Sequence, residues 1–240
     1  MATKTRAKTK RRLPISSNMM TKVEPLTDNQ RKVFEAWDEG KHIFLYGCAG
    51  TGKTFCALYK ALQDCLSSTP HYDSVYLVRS LVATREIGFL PGDHEDKSSL
   101  YQIPYKNMVK YMFEAANDTD FEMLYGALKA QETIKFWSTS FLRGVTLDNS
   151  VVIIDEMQNL NFHELDSIIT RVGENTRIVF CGDAMQTDLR NNNERNGIHD
   201  FMRILEVMPD DFAMIEMGID DICRSGLVRN YLVAKNAIGM

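Results

Sequence analysis

The chain has 240 residues, 44% apolar and 25% charged, a size and balance that suit one large globular domain with appendages. No apolar run approaches the roughly 20 residues that a membrane-spanning helix needs, and no apolar stretch follows the basic N-terminus, so neither a membrane segment nor a secretory signal is expected. Five cysteines (Cys48, Cys56, Cys65, Cys181 and Cys223) form no C-x-x-C pair, which speaks against disulfides and a zinc site and makes the cytoplasm the expected compartment.

The net charge of −4 hides an asymmetry. Residues 1 to 12 hold Lys4, Arg6, Lys8, Lys10, Arg11 and Arg12 and no acid, which leaves −10 on the remainder. So few apolar groups do not offset the entropy of ordering, and a basic, disordered tail over residues 1–22 is expected ahead of a domain at 23–240. Such a tail would either hold RNA or DNA through phosphate contacts or serve as a solvated terminus that aids solubility.

Along the domain, Thr27-Asp28-Asn29-Gln30 reads as a helix start, continued by Val33, Phe34 and Trp37 and ended at Gly40. Residues 42–46 form a short apolar run, the first buried strand, and residues 53–66 a helix. A second strand follows at 75–79, then an insertion of loops and helix at about 88–120 containing Pro91-Gly92-Asp93 and Pro104. Strands at 151–155, 177–181 and 212–217 alternate with helices at 162–171 and 227–235. Mostly apolar strands separated by helices predict an α/β fold, a parallel sheet covered on both faces, with ligands at the carboxyl ends of the strands.

Three charged motifs follow strand ends. The first, Gly47-Cys48-Ala49-Gly50-Thr51-Gly52-Lys53-Thr54, is a G-x-x-x-x-G-K-T phosphate loop with a strand before it and a helix after it. Its glycines let the backbone aim N–H groups at phosphates, and the helix N-terminus adds partial positive charge. Lys53 would neutralise the β- and γ-phosphates, and the Thr54 hydroxyl would ligate Mg²⁺. In the second, an apolar strand ends in Asp155-Glu156: Asp155 would hold Mg²⁺ directly or through water, and Glu156 would polarise the attacking water. A small-molecule kinase is the alternative on this scaffold, and the acidic pair favours hydrolysis over it. The third is Gly182-Asp183-Ala184-Met185-Gln186, where Gln186 would either sense the γ-phosphate or be a surface residue after a turn. Upstream, Gln30 would either read the adenine edge with its amide or be a polar helix-start residue.

Together these residues resemble the PhoH family, ATPases related to the first motor domain of superfamily 1 helicases. The resemblance runs over about residues 24–235. Besides the loop and residues 26–30, it is carried by Ile87-Gly88-Phe89-Leu90-Pro91-Gly92-Asp93, by Phe141-Leu142-Arg143-Gly144-Val145-Thr146-Leu147, and by residues 152–159 (VIIDEMQN), 170–173 and 179–189 (VFCGDAMQTDL). Cys48 stands where the family usually has Pro, and Met157 where it usually has Ala. The resemblance implies a RecA-like P-loop domain, nucleotide contacts for Gln30 and Gln186, RNA-related activity and a homo-oligomeric ring, a hexamer, with ATP sites near subunit boundaries. Its short length resembles stand-alone bacteriophage members, whose compartment is the host cytoplasm. Because 57 residues follow Asp183, no second motor domain is expected, and any arginine finger would come from the same domain or a neighbouring subunit. Arg171, Arg224 and Arg229 are the candidates, with Arg224 favoured. The reading is a Mg²⁺-dependent ATPase acting on RNA or single-stranded nucleic acid, with an ATP-gated switch or scaffold as the rival.

Overall fold

A computed structural model describes residues 15–80, 94–142, 144–183 and 192–238. Six strands form one parallel sheet: β1 (His42–Gly47), β2 (Ser74–Arg79), β3 (Ile134–Ser138), β4 (Ser150–Asp155), β5 (Arg177–Cys181) and β6 (Phe212–Met217), in the spatial order β3-β2-β4-β5-β1-β6. Seven helices are described: α1 (Asp28–Asp38), α2 (Lys53–Cys65), α3 (His94–Phe113), α4 (Asp118–Ala130), α5 (Phe162–Ile169), α6 (Asn192–Glu206) and α7 (Gly226–Ala237).

The sheet divides the core in two because successive strand residues face opposite sides. Val151 and Ile153 join Ile43, Leu45, Leu77 and Val179 under α1 to α4, which supply Trp37, Leu58, Met112 and Leu128. Val152 and Ile154 join Phe44, Ile178 and Phe180 on the other face, covered by Leu165 and Ile168 of α5 and Phe201 and Leu205 of α6. This is the expected α/β arrangement with helices on both faces. No helix among the described residues is long and apolar enough to cross a membrane.

The helix starts follow local chemistry. Thr27 caps α1, its hydroxyl accepting from the Gln30 amide, and Asn161 and Glu164 close a reciprocal capping box on α5. α5 stops at Ile169, two residues short of the expected end, with Thr170 as its cap. Three elements lie beyond the sequence expectation: β3, α4 and α6. β3 is a five-residue edge strand whose form rests on pairing with β2, from Val75 opposite Ile134 to Arg79 opposite Ser138. The insertion expected over 88–120 contributes α3, which continues through Pro104.

The expected tail boundary at residue 22 needs correction. Ser17–Met19 form a 3-10 turn, the Ser17 amide donates to Leu66 O at 2.8 Å, the Thr21 amide donates to Met112 O at 2.7 Å, and Met20 is buried in the core. The apolar groups of Ile15, Met20 and Val23 pack this stretch against the core beside α2. The strongly basic segment itself lies outside the described residues.

Parallel pairing brings the strand ends to one edge. Arg79 lies opposite Asp155, Leu45 opposite Cys181, and Gly47 opposite Met217. The loop after β1 and the acidic pair after β4 therefore meet, although β5 separates their strands.

Candidate active site

The phosphate loop is shaped by three glycines in the left-handed region, Gly47 (φ 112°), Gly50 (78°) and Gly52 (85°). Gly47 also has no room for a side chain: an added Cβ would stand 2.3 Å from Met217 O on β6. Gly47→Ala is expected to destabilise the fold by about 2–4 kcal/mol. A urea midpoint close to that of the native protein would refute this. Gly126→Ala in α4, where an added Cβ meets nothing within 4 Å, serves as the control and is expected to lose no stability.

Lys53 is the first residue of α2 and is buried. Its Nζ donates to Gly47 O at 2.8 Å, Cys48 O at 2.6 Å and Thr51 Oγ1 at 3.4 Å. Burial pushes its ammonium below the usual lysine range, while the nearby Asp183 and Asp155 carboxylates oppose that shift. The ammonium thus sits on loop carbonyls, a position from which phosphate oxygens can recruit it.

Thr54 Oγ1 donates to Asp155 Oδ1 at 2.7 Å, joining the loop to the end of β4 across 101 residues. Two adjacent oxygen ligands of an octahedral ion bound at 2.0–2.1 Å stand about 2.9 Å apart, so this hydroxyl–carboxylate pair fits Mg²⁺, a hard ion that keeps water and phosphate oxygens for its other positions. Asp155 Oδ2 accepts from the Tyr105 hydroxyl at 2.6 Å.

Glu156 has a left-handed backbone (φ 53°), uncommon for a residue with a side chain, and this turns the chain out of strand geometry at the edge of the site. Its Oε2 accepts from Gln158 Nε2 at 2.6 Å, and its Oε1 lies 4.0 Å from Arg79 Nη2. Gln158 also accepts from the Asp183 amide at 3.1 Å, linking the acidic pair to the end of β5. Gly182 is required there: an added Cβ would lie 2.4 Å from Gln158 Oε1.

Gln30 is buried behind the loop. Its Oε1 accepts from the Leu26 amide at 2.8 Å, and its Nε2 donates to Thr51 O at 2.9 Å and Cys223 Sγ at 3.1 Å. The turn after β6 closes the same wall: the Cys223 amide donates to Gly50 O at 3.0 Å, and Asn29 donates to Asp221 at 2.8 Å. Arg224 flanks the loop of its own chain, its Cγ 2.9 Å from where a Cβ on Gly50 would stand. Arg229 is exposed on α7, whereas the Arg171 carbonyl accepts from Leu147 ahead of β4, at the sheet edge opposite the loop. Gln186 and the segment 88–93 lie outside the described residues.

A sequence profile of the family described as PhoH-like protein matches residues 22–235. The chain belongs to the PhoH family. A PhoH-like protein of Mycobacterium leprae is 32% identical over 207 residues, which cover 86% of this chain and 56% of the relative. One from Synechocystis is 31% identical over 213 residues, covering 88% and 62%. The chain therefore spans somewhat over half the length of these PhoH relatives. Among solved structures, the large terminase of a thermophilic bacteriophage aligns at a TM-score of 0.48 with 11% identity, over 88% of this chain and 50% of that one.

The phosphate loop, the acidic pair and Asp183 stand together at the carboxyl ends of the strands, linked by Thr54–Asp155, Gln158–Glu156 and Asp183–Gln158 hydrogen bonds. Sequence reasoning missed Arg79, Gln158 and Tyr105. Arg79 ends a correctly placed strand, so the strand-end rule would have found it, and Gln158 sits inside the VIIDEMQN segment. Tyr105 carries no such signal, since only the packing of α3 brings it to Asp155.

Proposed function

We propose that this PhoH-family chain binds ATP with Mg²⁺ and hydrolyses it, and that hydrolysis is coupled to binding or remodelling RNA or single-stranded nucleic acid in a homo-oligomeric ring, a hexamer. One observation carries the hydrolytic part: Thr54, next to Lys53 on the phosphate loop, donates to Asp155, and the residue after that acid, Glu156, is turned by its left-handed backbone at the same edge.

In this reading the loop amides and Lys53 hold the β- and γ-phosphates. Thr54 and Asp155 would hold Mg²⁺, which when bound neutralises phosphate charge. Glu156 takes a proton from water as the water oxygen bonds to the γ-phosphorus and the bond to the β–γ bridging oxygen breaks. Gln158 and Arg79 keep its carboxylate oriented. Gln186 would relay the state of the γ-phosphate. Gln30 would offer the adenine amino group a remaining lone pair of Oε1, because its Nε2 already donates twice within the protein. Arg224 is the proposed transition-state arginine, and its place beside Gly50 supports a source in the same chain.

The nucleic-acid part rests on the basic N-terminal residues and the family resemblance, and the proposed compartment is the cytoplasm, a host's if the chain is of phage origin. It is tested by ATP turnover with and without RNA or single-stranded DNA at two salt concentrations. Stimulation that is lost at high salt or on deleting residues 1 to 12 supports it. A rate indifferent to both polymers overturns it in favour of an ATP-gated switch. Light scattering with and without ATP tests the ring.

A further inference from the structure

The Asp155 carboxylate is held from two sides. Thr54 donates to Oδ1, and Tyr105, from α3 and 50 residues away in the chain, donates to Oδ2. The Tyr105 ring is 3% exposed and packs against Phe136 of β3 with centroids 5.7 Å apart, so its hydroxyl has little freedom to swing away. A carboxylate can only accept, so in this contact the Tyr105 hydroxyl is the donor. One helical turn earlier, Tyr101 lies under the Arg79 guanidinium at 5.7 Å, and Arg79 faces Glu156. α3 thus braces both acids, one directly and one through Arg79.

A carboxylate offers a metal one oxygen or two. With Oδ2 committed to Tyr105, only Oδ1 remains on the side of Thr54. Mg²⁺ demands near-ideal octahedral geometry with short single-oxygen contacts, whereas Ca²⁺ accepts six to eight ligands and bidentate carboxylates. We propose that Tyr105 is a positioning residue that reserves Oδ2 of Asp155, so that the carboxylate meets the metal through Oδ1 alone and the site prefers Mg²⁺ over Ca²⁺. This rests on the metal assignment given under the proposed function. A tyrosine serving only as core packing would make no distinction between the two ions.

The test is Tyr105→Phe, which keeps the buried ring and removes the hydroxyl. Affinity for a fluorescent ATP analogue is titrated in EDTA, in Mg²⁺ and in Ca²⁺, with thermal melting to verify folding. The affinity in EDTA should match the wild type. The half-saturating Mg²⁺ concentration should rise about tenfold, as for loss of other hydrogen bonds to a ligating group. The Ca²⁺ value should move less than about threefold, because Ca²⁺ can use the released oxygen. Superimposable Mg²⁺ curves, or equal displacement for both ions, would overturn the proposal. A wild-type protein indifferent to both cations would remove the metal assignment and this inference together. A wild type that responds to Mg²⁺ while Tyr105→Phe matches it would remove this inference alone.

Discussion

Glu156→Gln is expected to lower ATP turnover by about 10²–10⁴-fold, the usual contribution of a positioned general base. Binding of Mg²⁺ and nucleotide should change little, because the amide is nearly isosteric and its carbonyl oxygen can still accept from Gln158, as Oε2 does at 2.6 Å. Single-turnover hydrolysis alongside a binding titration separates the two effects. Wild-type turnover in the variant would remove Glu156 as the base and reopen the kinase alternative, in which phosphate passes to a bound substrate. A shared loss of binding and turnover would instead make Glu156 a structural acid at the end of β4.

Lys53→Ala should act earlier, on binding itself. The ammonium is a buried cation already desolvated against loop carbonyls, so little further desolvation opposes its move onto phosphate. Its loss removes charge-assisted hydrogen bonds worth about 1.5–3 kcal/mol, or roughly 10–100-fold in nucleotide affinity. Removing a donor aimed at developing charge costs a further factor of about 10²–10³ in turnover. Equilibrium binding of a fluorescent nucleotide checks the first figure and single-turnover kinetics the second. Affinity within twofold of wild type would show that Lys53 stays on the loop carbonyls when nucleotide binds. Circular dichroism should confirm that the variant folds, since it leaves the Gly47 and Cys48 carbonyls without this donor.

The two substitutions probe parts of the site that were readable to different degrees. Lys53 and Thr54 belong to one contiguous loop whose function follows from local backbone chemistry, with glycines for the turn and a helix start for phosphate. Asp155 and Glu156 were recognisable because an apolar run ended in two acids, and strand ends in a parallel sheet point to one edge. Gln30 was legible as a polar residue at the start of α1, but not as a buried amide bonded to Leu26, Thr51 and Cys223, because those partners come from three separate stretches of chain. Arg224 was favoured among the three candidate arginines, but where each stands relative to the loop was not legible without the fold. Arg224 stands beside Gly50, whereas Arg171 lies at the far edge of the sheet. The edge strand β3 escaped notice for a related reason: five residues with Lys135 in the second position become a strand only through pairing with β2.

The amino-acid sequence by itself determined which groups are available: a glycine-rich loop with a lysine and a hydroxyl, two adjacent acids at a strand end, and strands apolar enough to be buried on both faces. These are properties of residue type and short spacing, which hold wherever the segments end up. Only the tertiary structure decided how the acids are held. The Tyr105 hydroxyl on Asp155, the Gln158 amide on Glu156 and the Arg79 guanidinium facing it all depend on which helix covers which strand end. Spacing along the chain carries no record of such contacts, because a hydrogen bond spanning 50 residues is set by the packing of the elements between them.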